Sequence, residues 1–376
     1  LSGKAEFGRF VDTIADPLNK KKKILVAPLH WGLGHATRCI PVIRELLAQD
    51  ADVMIASDGA ALELLRIEFP TLESAVLPSY SIRYSAGAFM PLQMLFQTPS
   101  ILKTISEEHE VLEKLIDSHQ IDAVIADNRY GVWSKRIRSV LITHQLQVRP
   151  PAGFGWAGAI LRSAVWKKIG RFDECWIPDS EGDVNLSGAL SHGMQTPFKK
   201  RFTGPLSRFA TPGEISVAEK QYDLLVILSG PEPQRTMLET LMIKQLSGNH
   251  SKILLVRGTD ITDTTRKTER NLTIVNHLPA PEMQQALLSS GSVICRSGYS
   301  SIMDLAAVGK KAILIPTPGQ TEQEYLADYL KSRKIFFSMK QRDFRLETAL
   351  KESAPYQGIR LPSSAALKNA IESLMG

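Results

Sequence analysis

His35 lies in the run His30-Trp31-Gly32-Leu33-Gly34-His35-Ala36-Thr37-Arg38, between an apolar stretch at 24–29 and a set of apolar residues, Ile40, Ile43, Leu46 and Leu47, at helical spacing. Glycines at 32 and 34 let backbone approach a ligand, and the start of the following helix favours negative charge. Imidazole titrates near neutrality, so at the carboxyl end of a strand it suits a general base that deprotonates a hydroxyl. His35 is therefore the candidate base, in a loop that also holds Gly32, Gly34 and Arg38. A dinucleotide fingerprint would require a third glycine where Thr37 stands, which argues against a dehydrogenase. Asp127, after the apolar stretch 123–126, is the candidate partner that orients His35. The alternative for Asp127 is a loop residue that forms a turn with Asn128.

A second set of residues lies in the C-terminal half. A strand ending at Cys295 is followed by Arg296-Ser297-Gly298, which opens a helix whose first N–H groups lack internal partners and can receive a diphosphate. Asp304 lies about two turns along that helix, where a carboxylate can accept ribose hydroxyls. Strand 312–315 leads into Pro316-Thr317-Pro318-Gly319-Gln320-Thr321-Glu322-Gln323, whose amides and carboxylate suit sugar hydroxyls. Ser229 and Gly230, after strand 224–228, can present backbone N–H groups to the same ligand.

These loops require strands that end together and helices that begin there. Apolar runs at 24–29, 53–56, 73–77, 123–126, 140–143 and 175–177 alternate with helical patterns at 59–68 and 99–118, and a second series runs through 224–228, 252–256, 272–275, 293–295 and 312–315. Such alternation predicts βαβ units and parallel sheets. The expected fold class is α/β, two doubly wound Rossmann-like domains facing across a cleft. Their expected boundaries are 20–208 for the N-terminal domain, 209–221 for a linker containing Thr211-Pro212-Gly213-Glu214, and 222–354 for the C-terminal domain. A C-terminal helix at 363–375 is expected to return to the first domain.

The spacing of Ser297-Gly298 to Asp304, the small-residue run 305–309 and the Gly319-to-Gln323 loop resemble the nucleotide-sugar half of the GT-B glycosyltransferases. The particular resemblance is to glycosyltransferase family 28, the group acting in peptidoglycan lipid-precursor synthesis. The Gly32-x-Gly34-His35-x-x-Arg38 loop is similar to that family's acceptor-side glycine loop, and Thr203-Gly204-Pro205-Leu206-Ser207-Arg208 to its T-G-N-P-V-R segment. The resemblance implies Ser297, Gly298 and Arg208 at the diphosphate, Asp304 on the ribose, and Gln320, Glu322 and Gln323 around the donor sugar. In close relatives the ribose acid is usually Glu, and a Gly-Gly-Ser loop stands where this chain has Ser229-Gly230-Pro231. The implied activity is metal-independent, inverting transfer from a nucleotide diphosphate sugar, with UDP the expected nucleotide, to an acceptor hydroxyl. No cofactor is expected beyond that co-substrate. Because residues 32–39 also resemble the UDP-sugar hydrolase of pseudaminic acid synthesis, hydrolysis is the alternative, followed by a non-catalytic nucleotide-sugar-binding protein.

With 376 residues, 43% hydrophobic and 22% charged, the chain has ample material for two cores. Its three widely spaced cysteines write neither a disulfide framework nor a zinc site, and a reducing cytoplasmic setting is expected. The net charge is +6, and residues 133–208 carry twelve Lys or Arg against five Asp or Glu. Basic residues without RNA-recognition aromatic signatures argue against nucleic acid as partner. An anionic or lipid-linked acceptor fits the surplus better. The aromatic, aliphatic and basic residues of 154–171 are the candidate contact with the inner face of a membrane, in keeping with a cell-envelope role.

Overall fold

Short apolar runs that cannot alternate with solvent become strands buried on both faces, as in β1 (Lys23–Pro28) and β4 (Ala123–Asp127). The computed structural model describes residues 21–80, 90–150, 155–209, 219–259, 261–263, 265–361 and 365–376. The linker run 211–214, the polar lead-in before residue 21 and residues 363 and 364 of the expected last helix lie outside the described residues.

In the N-terminal lobe, β1 is followed by α1 (Gly34–Ala48), β2 (Asp52–Ser57), α2 (Gly59–Glu68), β3 (Glu73–Val76) and α3 (Met90–His119). After β4 come β5 (Arg138–Ile142), α4 (Gly158–Ile169), β6 (Glu174–Ile177) and β7 (Lys200–Phe202). The seven strands pair in parallel in the order β3-β2-β1-β4-β5-β6-β7. Chain direction along the sheet reverses at β1, so a crevice opens between the carboxyl ends of β1 and β4.

The C-terminal lobe repeats the plan with β8 (Tyr222–Ile227), α5 (Gln234–Leu246), β9 (Ile253–Val256), β10 (Arg266–Glu269), β11 (Leu272–Val275), α6 (Ala280–Leu288) and β12 (Ser290–Cys295). It continues with α7 (Tyr299–Val308), β13 (Ile313–Leu314), α8 (Thr321–Ser332), β14 (Phe337–Ser338) and α9 (Leu346–Glu352). The order is β10-β11-β9-β8-β12-β13-β14, with only β10 antiparallel. Here the switch lies between β8 and β12, whose loops carry Ser229-Gly230 and Ser297-Gly298.

Two strands carry no apolar run that the sequence pattern could reveal, and each lies at the edge of its sheet. β10 reads Arg-Lys-Thr-Glu and is exposed throughout, and β7 is only the three residues Lys-Arg-Phe. Edge strands do not need two-sided burial, so the pattern that marks central strands is missing. The helix expected at 99–118 begins earlier, at Met90, and runs through Pro99.

One apolar cluster joins the lobes, from Ile40 and Ile43 of α1 to Ile302 and Met303 of α7. The last helix, α10 (Ala365–Met375), adds Ile371 and Leu374 to that cluster and is tied to the N-terminal lobe by polar contacts. Arg138 Nη1 donates to Ser373 O at 2.5 Å and Gln49 Nε2 to Lys368 O at 3.2 Å.

The strand ends of the N-terminal sheet are locked by Arg129, fully buried just after β4. Its guanidinium donates to Pro28 O at 2.9 Å, Pro78 O at 3.0 Å, Glu108 Oε1 at 2.7 Å and Asp58 Oδ1. One cation thus joins the ends of β1 and β2, the loop after β3 and helix α3. Arg129→Met should strand two buried carboxylates and cost about 3–5 kcal/mol of unfolding free energy in urea titration; a loss below about 1 kcal/mol would contradict the clamp.

Candidate active site

The parallel register of β1 and β4 sets Asp127 opposite Pro28, beside the start of the glycine loop. His35, in the first turn of α1, points its Nδ1 at Asp127 Oδ1 across 2.8 Å. Arg38 follows one helical turn later and grips the same carboxylate from Nε and Nη2. The Asp127 and Arg38 side chains are buried, and His35 keeps 15% of its side chain exposed. Burial pushes the Asp127 carboxyl upward, but the charges of Arg38 and His35 outweigh it and bring it down to about 2. Such a carboxylate only accepts, so the Nδ1–H of His35 donates and Nε2 carries the lone pair. Burial also lowers the His35 pKa, with Arg38 adding to the shift and Asp127 opposing it only in part. The imidazole is neutral at pH 7 and held in one tautomer, the condition a general base requires.

The two glycines of the loop have separate causes. Gly32 adopts φ +77°, a left-handed turn that other residues resist. Gly34 is where the lobes meet: Ser300 Oγ of α7 donates to Gly34 O at 2.8 Å, and a Cβ at 34 would lie 2.8 Å from that hydroxyl.

The network continues across the cleft. Arg38 Nη1 donates to His144 Nδ1 at 3.3 Å, and His144 Nε2 donates to Glu322 Oε1 at 2.7 Å. Gln145 Nε2 donates to the other oxygen of Glu322. The His144 ring also stacks on Tyr299, with centroids 3.9 Å apart. Burial opposes ionisation of Glu322, but His144 holds its carboxyl below the usual range. A continuous chain therefore runs from His35 through Asp127, Arg38 and His144 to Glu322, joining the base candidate to the expected donor-sugar loop.

The other donor-side residues are placed as follows. Gly298 caps α7 at its N-terminus, and no atom lies within 4 Å of where a Cβ would stand, so backbone there faces open space. Ser297 Oγ donates to Gln323 O at 2.8 Å, joining the loop after β12 to α8 instead of facing outward. Gln323 is held within its own loop: its Oε1 accepts from Thr317 N at 3.0 Å, and its Nε2 donates to Gln320 Oε1 at 2.6 Å. Gly230 takes φ +103°, a turn open to glycine, beside Ser229. Asp304, expected on a ribose, accepts from Ser207 Oγ at 2.7 Å and lies 3.3 Å from Arg208 Nε. Burial raises the Asp304 carboxyl despite that guanidinium. Arg208, expected at a diphosphate, lies beside Asp304, and Arg38, expected in the acceptor-side loop, is buried and holds Asp127.

Sequence reading missed His144, Gln145, Ser207, Tyr299 and Ser300. His144 and Gln145 had a usable signal, since they follow strand β5 at the sheet edge where ligands of such folds bind. The others touch the opposite lobe, and no local pattern encodes that. Among the described residues, no group of three or more His, Cys, Asp or Glu could hold a metal ion.

Residues 232–370 match the glycosyltransferase family 28 C-terminal domain. The chain is 23% identical over 350 residues, 88% of each chain, to the UDP-N-acetylglucosamine--N-acetylmuramyl-(pentapeptide) pyrophosphoryl-undecaprenol N-acetylglucosamine transferase of Histophilus somni (strain 129Pt). The protein of the same name from Actinobacillus pleuropneumoniae serotype 5b (strain L20) is 24% identical over 347 residues, 89% of each chain. Among solved structures, the kitacinnamycin glycosyltransferase superposes with a TM-score of 0.59 at 14% identity over 95% of each chain. Acinetobacter baumannii MurG gives 0.53 at 14% identity, covering 94% of this chain and 99% of that one. The paired Rossmann-like lobes are those of the GT-B fold. The second lobe thus matches a glycosyltransferase family 28 C-terminal domain, and the chain has the GT-B fold with homology to N-acetylglucosamine transferases over nearly nine-tenths of its length.

Proposed function

We propose that the protein transfers a sugar from a UDP-linked donor to an acceptor hydroxyl with inversion at the anomeric carbon. The observation that carries this is the neutral His35, fixed through Nδ1 by a carboxylate that Arg38 keeps ionised. The acceptor hydroxyl gives its proton to His35 Nε2 while its oxygen attacks the anomeric carbon, and the bond to the leaving diphosphate breaks on the opposite face. The departing negative charge falls at the helix start after Gly298 and the turn at Gly230, where backbone N–H groups stabilise it. Asp304 has lone pairs beyond those used by Ser207 and Arg208 with which to accept ribose hydroxyls. Sugar hydroxyls are positioned by Gln320, Glu322 and Gln323. By their names, the two relatives use UDP-N-acetylglucosamine, which supports uridine as the base.

The acceptor is anionic or lipid-linked in this reading. The two relatives' names describe a pyrophosphoryl-undecaprenol acceptor. On this chain, Trp156 in the turn before α4 is 72% exposed and Ile160 in the first turn of α4 is 63% exposed, and Arg162, Lys167 and Lys168 follow. Large apolar side chains beside cations suit an anionic bilayer surface. No helix among the described residues is long and apolar enough to cross a membrane.

His35→Ala should lower turnover by about 10²–10⁴-fold while UDP still raises the melting temperature. Wild-type turnover in that variant would remove His35 from the chemistry, and absence of any UDP effect on the wild type would remove the donor assignment. Because burial lowers the His35 pKa, the base is neutral down to a pH below its ordinary value of about 6.5. The acid limb of kcat/KM should therefore fall below about 6.5; a limb above 7 would contradict the assignment. For the membrane face, Trp156→Glu with Ile160→Glu should abolish sedimentation with phosphatidylglycerol vesicles at low salt. Unchanged sedimentation would rule out α4 as the contact.

A further inference from the structure

Arg296 is fully buried between Cys295 of β12 and the Ser297-Gly298 turn. Its guanidinium staples three loops at the carboxyl edge of the second sheet. Nη2 donates to Gln234 O at 2.9 Å, and Nη1 lies 3.4 Å from Ile315 O and 3.3 Å from Pro316 O. All these partners are neutral carbonyls. Burial pushes its pKa down to about 10, and no acid pulls it back.

The acids on the neighbouring loops are engaged elsewhere. Glu232, after β8, pairs with Arg235, and Glu322 is taken by His144 and Gln145. Three buried polar atoms from these same loops also have no protein partner: Arg296 Nε, Gln234 Oε1 and Thr317 Oγ1. Thr317 Oγ1 would lie 3.7 Å from a Cβ on Gly230, which places it at the turn after β8. A buried cation is costly unless a negative charge balances it. Elsewhere in the molecule buried arginines have carboxylate partners, Arg38 with Asp127 and Arg129 with Asp58 and Glu108.

We propose that Arg296 is the positioning cation of the donor's diphosphate, and that its missing counter-charge is the ligand itself. The inference rests on the nucleotide diphosphate reading above. Arg296 acts from behind the three loops: it holds their carbonyls in place and sets a positive potential where the diphosphate binds. That potential selects diphosphate over nucleoside and lowers the energy of the leaving group as charge develops on it.

The test compares uridine, UMP and UDP binding by calorimetry in the wild type, Arg296→Gln and Arg296→Lys. The wild type should prefer UDP strongly over uridine, and failure here would overturn the nucleotide reading without reference to Arg296. Given that preference, Arg296→Gln should reduce UDP affinity by about tenfold or more with uridine affinity unchanged, as loss of a positive charge near the diphosphate requires. Equal loss for uridine and UDP, or an unchanged preference, would make Arg296 a structural staple only. Arg296→Lys decides the matter if the Gln variant does not fold. An uncompensated buried lysine has a lowered pKa that a bound diphosphate raises. UDP binding to that variant at pH 9 should therefore take up protons, seen as a buffer-dependent enthalpy absent from the wild type. No buffer dependence in the Lys variant would overturn the proposal.

Discussion

The ionised carboxylate of Asp127 is the constraint around which both lobes are arranged. It lies at the end of a fully buried strand and could not remain charged without Arg38, which meets it with two donors. Once charged, it fixes the tautomer of His35 and leaves one imidazole nitrogen free to accept a proton. Arg38 in turn spends its remaining terminal nitrogen on His144, which reaches Glu322 on the other lobe. Sheet register, helix start and lobe contact thus serve one set of charges.

That linkage has a consequence for the order of events. The carboxylate of Glu322, expected to hold a donor sugar, is bonded on both oxygens to the N-terminal lobe. Likewise the carboxylate of Asp304 is engaged by Ser207 and Arg208. A sugar held by Glu322 would have to share or displace the bonds from His144 and Gln145. Polar groups in the closed cleft are satisfied by each other, which keeps them ionised and aligned at little desolvation cost.

Much of the plan was legible in the sequence because central parallel strands are uninterrupted apolar runs and their loops carry glycine. The run 24–29, the glycines at 32 and 34 and the Ser297-Gly298 turn all fall where a doubly wound sheet places its ligand edge. Asp127 was recognisable from its position at a strand end. What could not be read was pairing over long sequence separation. The contacts of Arg38 with Asp127 at the end of β4 and of Arg208 with Asp304 on α7 join residues far apart in the chain. Edge strands such as β10 were invisible because nothing in their composition has to be buried. Arg296 was passed over within its own motif, since only the packed structure reveals that a cation there lacks an acid.

The most direct measurement is proton NMR of the reaction with a UDP-sugar and a candidate acceptor, following the anomeric proton as UDP is released. The expected result is glycosylated acceptor of inverted anomeric configuration, formed in step with UDP. Free sugar accumulating at the rate of UDP, or product of retained configuration, would contradict direct displacement by an acceptor oxygen activated at His35.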